Sequence, residues 1–322
     1  MPEPPGITRT NLALIVNDND PFSIRAAERY QAARRIPPEN VIHIRIDPEA
    51  SNIDPVVFSQ VKSEVDRRTP AHVQAYLLAW TLPYRVGCMS ITSAFAFGFD
   101  KAFCAKGCNP TKTSPYFSSM SEAPFEDFGV RPTMMLAGID ERQVDELIER
   151  GVKSDYSQPE GTMYLVTTGD KARSTRTSTF KKLAAGFQGD LAIRHLETDA
   201  LTGKKDVMFY FTGARWVAGL DTIEFLPGAV ADHLTSAGGV LDGITQMSIL
   251  RWLEAGATGS YGTVVEPCNY PQKFPHPGVF IANYLRGASL LESYWKSVAW
   301  PGQGVFVGEP LARPYARKPG ED

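Results

Sequence analysis

The sequence is poor in the features that settle a function early. Of 322 residues, four are cysteine and five histidine, so thiol and imidazole chemistry have few places to sit. No apolar run reaches the roughly 18 to 20 residues of a membrane-spanning helix. The densest run, around Tyr76–Trp80, has the length of a strand. Residues 1–10 (MPEPPGITRT) contain no apolar signal core. Lys and Arg total 33 against 36 Asp and Glu, a net charge of -3. That leaves no basic field to hold nucleic acid or an anionic membrane. A Walker loop, GxGxxG, HExxH and GxSxG are all missing. Their absence argues against a P-loop NTPase, a dinucleotide enzyme, a zinc protease and a serine hydrolase. No internal repeat is visible, and nothing in the sequence calls for a cofactor.

What is present is a globular composition, 43% apolar and 21% charged, which excludes a disordered chain, a coiled coil and a fibre. Glycine (27) and proline (24) exceed their usual share, which implies long loops and turns. Short β-branched runs alternate with helical stretches, the pattern of an α/β domain with a mostly parallel sheet flanked by helices. Strands are expected at Leu12–Val16, Val41–Ile46, Val73–Leu82, Thr133–Ala137, Thr162–Thr167, Val207–Phe211, Ala229–Leu234, Gly259–Val265 and Val305–Val307. Asp20 with Pro21, Asp140 with Gln143, and Ser289 with Glu292 carry helix-start signatures. Thr245–Ala255 reads as a helix closed by Gly256. Residues from about 100 to 131 show little periodicity and read as an irregular excursion or lid. No linker divides the rest, so residues 1–322 are expected to form one domain.

In an open parallel sheet, ligands bind beyond the carboxyl ends of the strands. The residues after each expected strand are therefore the candidates. They are Asn17 and Asn19, then Arg85, then Asp170 and Arg173, then Glu266, Cys268, Asn269, Lys273 and His276, and finally Glu309. The segment EPCNYPQKFPHP (266–277) packs a thiol, a carboxylate, an amide, an ammonium and an imidazole onto a proline-stiffened loop. There Cys268 would be a nucleophile, His276 or His233 its base, and Glu266 or Asn269 the group orienting that base. Arg173 and Arg176 beside Asp170 could clamp an anion or form an ion-pair cluster. Cys104 and Cys108 (FCAKGC) could close a local disulfide, remain free, or supply half a metal site; no partner motif completes that site, and no metal is expected.

Several stretches resemble a bacterial family of usually exported proteins with no established activity. They are LALIVNDNDPFS, TLPYR, RPTMMLAGID, GDKARSTR, FLPGAVADHLTSAGG, SYGTVVEPCNYPQKFP and GVFVGEPLARP. The resemblance covers nearly the whole chain and implies an exported, periplasmic protein, although this chain shows no signal peptide. The last third is also similar to gingipain-type and caspase-like cysteine peptidases, which implies a doubly wound three-layer sandwich. In those enzymes a His follows one strand and a Cys follows the next. The corresponding places here hold Thr212-Gly213-Ala214-Arg215 and Thr235-Ser236, without either residue. The favoured function is thus a hydrolase-like enzyme with a strand-end cleft centred on Glu266–Asn269; the alternative is a binding or accessory protein that kept the scaffold and lost the dyad. Either would take a small molecule or peptide in that cleft.

Overall fold

The structure is a computed structural model and describes residues 4–189 and 191–318. Among the described residues, thirteen strands and nine α-helices follow one another. The strands are β1 (Leu12–Asn17), β2 (Val41–Ile44), β3 (Asn52–Ile53), β4 (Ala75–Leu78), β5 (Arg85–Val86), β6 (Met89–Ser90), β7 (Thr133–Met135), β8 (Thr162–Thr167), β9 (Ala192–Glu197), β10 (Val207–Gly213), β11 (Phe225–Leu234), β12 (Gly259–Thr263) and β13 (Gly304–Gly308). The helices are α1 (Pro21–Arg34), α2 (Pro55–Arg68), α3 (Ile91–Phe97), α4 (Pro124–Phe128), α5 (Glu141–Ser154), α6 (Thr177–Gly186), α7 (Leu250–Glu254), α8 (Pro277–Tyr284) and α9 (Leu290–Ser297).

Ten strands form one sheet in the order β2-β1-β4-β7-β13-β12-β11-β10-β8-β9, and β3, β5 and β6 form a small second sheet. Every pairing in the large sheet is parallel except β12 with β13, whose register runs from Gly259↔Gly308 to Thr263↔Gly304. The sheet is therefore two parallel halves of opposite direction. In each half the chain starts on an inner strand, steps out to the edge, and returns on the other side of its starting strand. The first half does so as β1, β2, β4 and the second as β8, β9, β10.

Helices cover both faces, giving three layers. On one face α1 meets α5 through Arg29 and Asp145, and α5 meets α7 where Gln143 Nε2 donates to the Leu250 carbonyl. On the other, a run of ring contacts links α2 to α3 (Phe58–Phe95), α3 to α9 (Phe97–Trp295) and α9 to α8 (Tyr294–Phe280). Both faces of β1, β4, β10 and β13 are buried. This explains why these strands read as unbroken apolar runs.

The helix starts follow the sequence signals. Asp20 accepts the Phe22 N–H, and Ser289 and Glu292 close a reciprocal capping box. Asp140 accepts the Gln143 N–H, but Gln143 Oε1 turns to the Ile139 N–H instead of closing its box. The helix expected at 245–255 is only Leu250–Glu254. Residues 245–249 stay outside the helix because their N–H groups are bonded elsewhere, with Met247 N donating to the Arg215 carbonyl and Ile249 N to the Gly238 carbonyl.

Glu309, a candidate ligand group, proves to be structural. It is fully buried and accepts the Tyr30 hydroxyl (2.7 Å) and the Arg34 guanidinium (2.5 and 3.0 Å). Arg34 also pairs with Asp155. The cluster ties the end of β13 to α1 and α5. Removing one member of a buried ion pair costs about 3 to 5 kcal/mol where the other is left uncompensated; Arg34 keeps Asp155, which sets the loss at the low end, about 3 kcal/mol. Glu309→Ala should lose that much in urea unfolding, and Glu309→Gln, which keeps an acceptor for Tyr30, should lose less.

Candidate strand-end site

The opposed halves decide where the candidates lie. The loops after β1 and β4 leave one rim of the sheet, and those after β8, β10, β11 and β12 leave the other. Asn17 and Asn19 are thus on the rim opposite the 266–277 loop, so the single centre expected from both sets does not form. Asn17 is buried and works within the first half: its Oδ1 accepts the Ile46 and Asn19 N–H groups, and its Nδ2 donates to the Ile46 carbonyl. Asn19 Nδ2 reaches the same carbonyl. Arg85 lies in the small sheet, where its Nε donates to Asn52 Oδ1.

Cys268 is not a free thiol. It is bonded to Cys108 (S–S 2.01 Å), and Cys88 is bonded to Cys104, which leaves no free cysteine. The expected nucleophile fails on covalent grounds, because a disulfide sulfur has no thiolate to offer. The local Cys104–Cys108 pairing is likewise replaced by two longer links. Together they fasten the 100–131 excursion to the β5–β6 hairpin and to the loop after β12. The excursion docks on the end of α9 as well, with Ser114 N donating to the Ala299 carbonyl and Ser118 N to the Lys296 carbonyl.

The other members of the expected centre are also committed. Glu266 Oε1 accepts the Cys268 N–H, a bond that braces Cys268 in the left-handed region (φ 55°). Asn269 is exposed. His276 caps α8, its Nδ1 accepting the Val279 N–H, and burial lowers its pKa. Lys273 is covered, lies over the Tyr270 ring and donates to the Asn109 carbonyl (3.1 Å). Burial, opposed in part by Glu266, pulls its pKa down to about 8.

His233 is fully buried between β11 and α7, with both ring nitrogens occupied. Nδ1 accepts the Trp252 indole N–H (2.9 Å), so Nε2 carries the proton and donates to the Met247 carbonyl (3.0 Å). Burial holds its pKa down to about 4. It stays neutral and has no lone pair left to act as a base.

What does assemble is a polar network on the rim of the second half. Asp170 pairs with Arg173 (2.7 Å), and Arg173 Nε donates to Thr235 Oγ1 (2.9 Å). Thr235 Oγ1 donates to Gln246 Oε1 (2.7 Å), which also accepts the Ala237 N–H (2.8 Å). Beneath it, Arg176 is buried and grips Asp232 with both terminal nitrogens while also donating to the Thr212 and Pro275 carbonyls. The 170–176 turn lies hard against the end of β10. A Cβ on Gly213 would fall 2.0 Å from the Arg173 carbonyl oxygen. Of these groups, Asp170, Arg173 and Arg176 were legible as polar residues after a strand. Thr235 and Gln246 were missed as partners because neither type stands out in a loop.

No family model and no curated protein matches the chain. Among solved structures it is similar to the complex of the Porphyromonas gingivalis RgpB pro- and mature domains. The TM-score is 0.52 and the identity 9%, over 94% of this chain and 79% of the other. The caspase-like fold implied by the last third thus extends across both halves. The likeness is one of fold.

Two outcomes are expected. Unreduced native protein should take up no iodoacetamide, and Cys108→Ser with Cys268→Ser should cost about 2 to 5 kcal/mol of stability, with faster amide exchange in residues 104–112 and 266–275. The second concerns acid. An unfolded His takes up a proton below about pH 6.5, whereas folded His233 resists to about 4. The unfolded chain therefore binds the extra proton between these values, and stability is lost as pH falls through that window, by about 2 to 3 kcal/mol. In His233→Gln the unfolding free energy should change less between pH 7 and 4.5 by that amount.

Proposed function

We propose that this chain is a non-catalytic binding or accessory protein on a caspase-like scaffold, exported to an oxidising compartment. The observation that supports this reading best is the covalent capture of all four cysteines in two disulfides. Thiol catalysis needs a thiolate and a base beside it, and the buried imidazole of His233 is already spent on Trp252 and Met247. Paired cysteines also suit an exported protein, since such bonds persist outside the reducing cytosol.

The rim keeps groups suited to recognition. Arg215 follows β10 and is anchored by its Nε on the Thr245 carbonyl (2.9 Å). A guanidinium so placed presents a fork that matches a carboxylate. Trp216 beside it is 54% exposed, and Ile244, next to the anchoring carbonyl, is 87% exposed. A cation flanked by exposed apolar side chains fits a peptide that carries a carboxylate next to a large apolar residue. Fluorescence anisotropy with labelled hexapeptides of that kind tests the reading. Arg215→Ala and Trp216→Ala should each weaken binding about tenfold, a loss of roughly 1.4 kcal/mol, and mass spectrometry should show the peptides intact. Peptide cleavage by the unaltered protein, or equal affinity in both variants, would overturn it.

A further inference from the structure

The opposite rim has a crevice of its own. Between the carboxyl ends of β1 and β4 the connections diverge, because the chain leaves β1 toward β2 on one side and returns to β4 on the other. Divergence of this kind opens the crevice in which doubly wound sheets take small ligands. A cavity of about 370 Å³ lies there, within the size range of small-molecule sites. Its walls are mainly apolar, with Phe22 and Leu82 from the two strand-end loops and Leu250 from α7. The segment after β11 closes one side with Leu241 and Asp242. That segment is fixed in place, because the Tyr84 hydroxyl donates to Asp242 Oδ1 (2.8 Å).

Charge selects the ligand. The only ionisable groups lining this cavity are the carboxylates of Asp20 and Asp242, and no Lys, Arg or His lines it. Each has one oxygen committed to a neutral donor, Asp20 to the Phe22 N–H and Asp242 to the Tyr84 hydroxyl. Neither forms an ion pair among the described residues. Arg25 offsets part of the Asp20 charge from outside the cavity, and two carboxylates beside apolar walls with no cation among them repel an anion and attract an ammonium carried on an apolar body. Thr81 adds no competing donor, since its hydroxyl is spent on the Gly138 carbonyl.

We infer that this crevice is a second binding site, distinct from the Arg215–Trp216 surface although the segment after β11 borders both, and that it takes a small organic amine with an apolar body. A pair of similar shape and opposite charge tests it without knowledge of the natural ligand. The full chain is titrated by calorimetry with 2-phenylethylamine and with 3-phenylpropanoate, which share a shape and differ in the sign of charge. The amine should bind and the acid should not, and added salt should weaken the amine. Asp20→Asn with Asp242→Asn keeps the helix cap and the acceptor for Tyr84 but removes both charges. This variant should keep the melting temperature and lose at least tenfold in amine affinity. Thr81→Trp, which fills the cavity from its wall, should abolish binding while leaving peptide binding at the other rim unchanged. Equal binding of the acid, no binding of the amine at 10 mM, or an unchanged affinity in the charge-free variant would each overturn the inference.

Discussion

The antiparallel junction of β12 with β13 governs the whole molecule. It is the one place where the large sheet changes direction, and it fuses two parallel halves that would otherwise be separate sheets. The junction depends on very close packing. A Cβ on Gly304 would fall 1.8 Å from the Tyr261 hydroxyl, and one on Gly262 would fall 2.6 Å from the Gly239 backbone nitrogen. The Tyr261 hydroxyl in turn donates to the Lys273 carbonyl, which carries the order of the junction into the loop after β12. Because the halves point in opposite directions, each rim has its own strand ends and its own diverging connections. The molecule therefore has two strand-end regions where a singly directed sheet would have one.

Much of the architecture was legible because burial and periodicity dictate it. The limits of β8 match the expected run to the residue, and the Ser289–Glu292 box forms as its spacing implies. Strand direction is another matter. GSYGT and GVFVG look alike as short buried runs, and nothing in their pattern says that they pair head to tail. The expected convergence of Asn17 and Cys268 on one rim failed on that point, and the disulfide removed the thiol besides. β9 was overlooked because it is a half-exposed edge strand, AIRHLE, with charges in mid-run. Cysteine pairing was open for a different reason. Four cysteines allow three connectivities, and only the folded path brings Cys108 to Cys268 across 160 residues.

Buried ions do the positioning in both halves. Arg176 on Asp232 fixes the end of β11 to the 170–176 turn, and Arg34 on Glu309 fixes the end of β13 to α1. Arg313 pairs with Glu292 and also donates to the Pro5, Ile7 and Gly287 carbonyls, binding the N-terminal segment to α9. Polar residues that sit after strands, and so look like ligand groups in sequence, are thereby consumed in holding the strands themselves. The groups left facing outward, Arg215 and Trp216 on one rim, Asp20 on the other, and Asp242 on the segment after β11 that borders both, are ones whose sequence context is unremarkable.

The overlap of the Arg173 carbonyl with the side-chain space of residue 213 has an evolutionary corollary. A lineage with this turn could not gain a side chain at position 213 by a single codon change, since the turn after β8 fills the volume that any side chain would need. Such a turn acts as a ratchet: once it has settled onto a bare glycine, reversal demands that the backbone retreat first. On this scaffold any side chain at that position is barred by geometry, whatever residue mutation supplies.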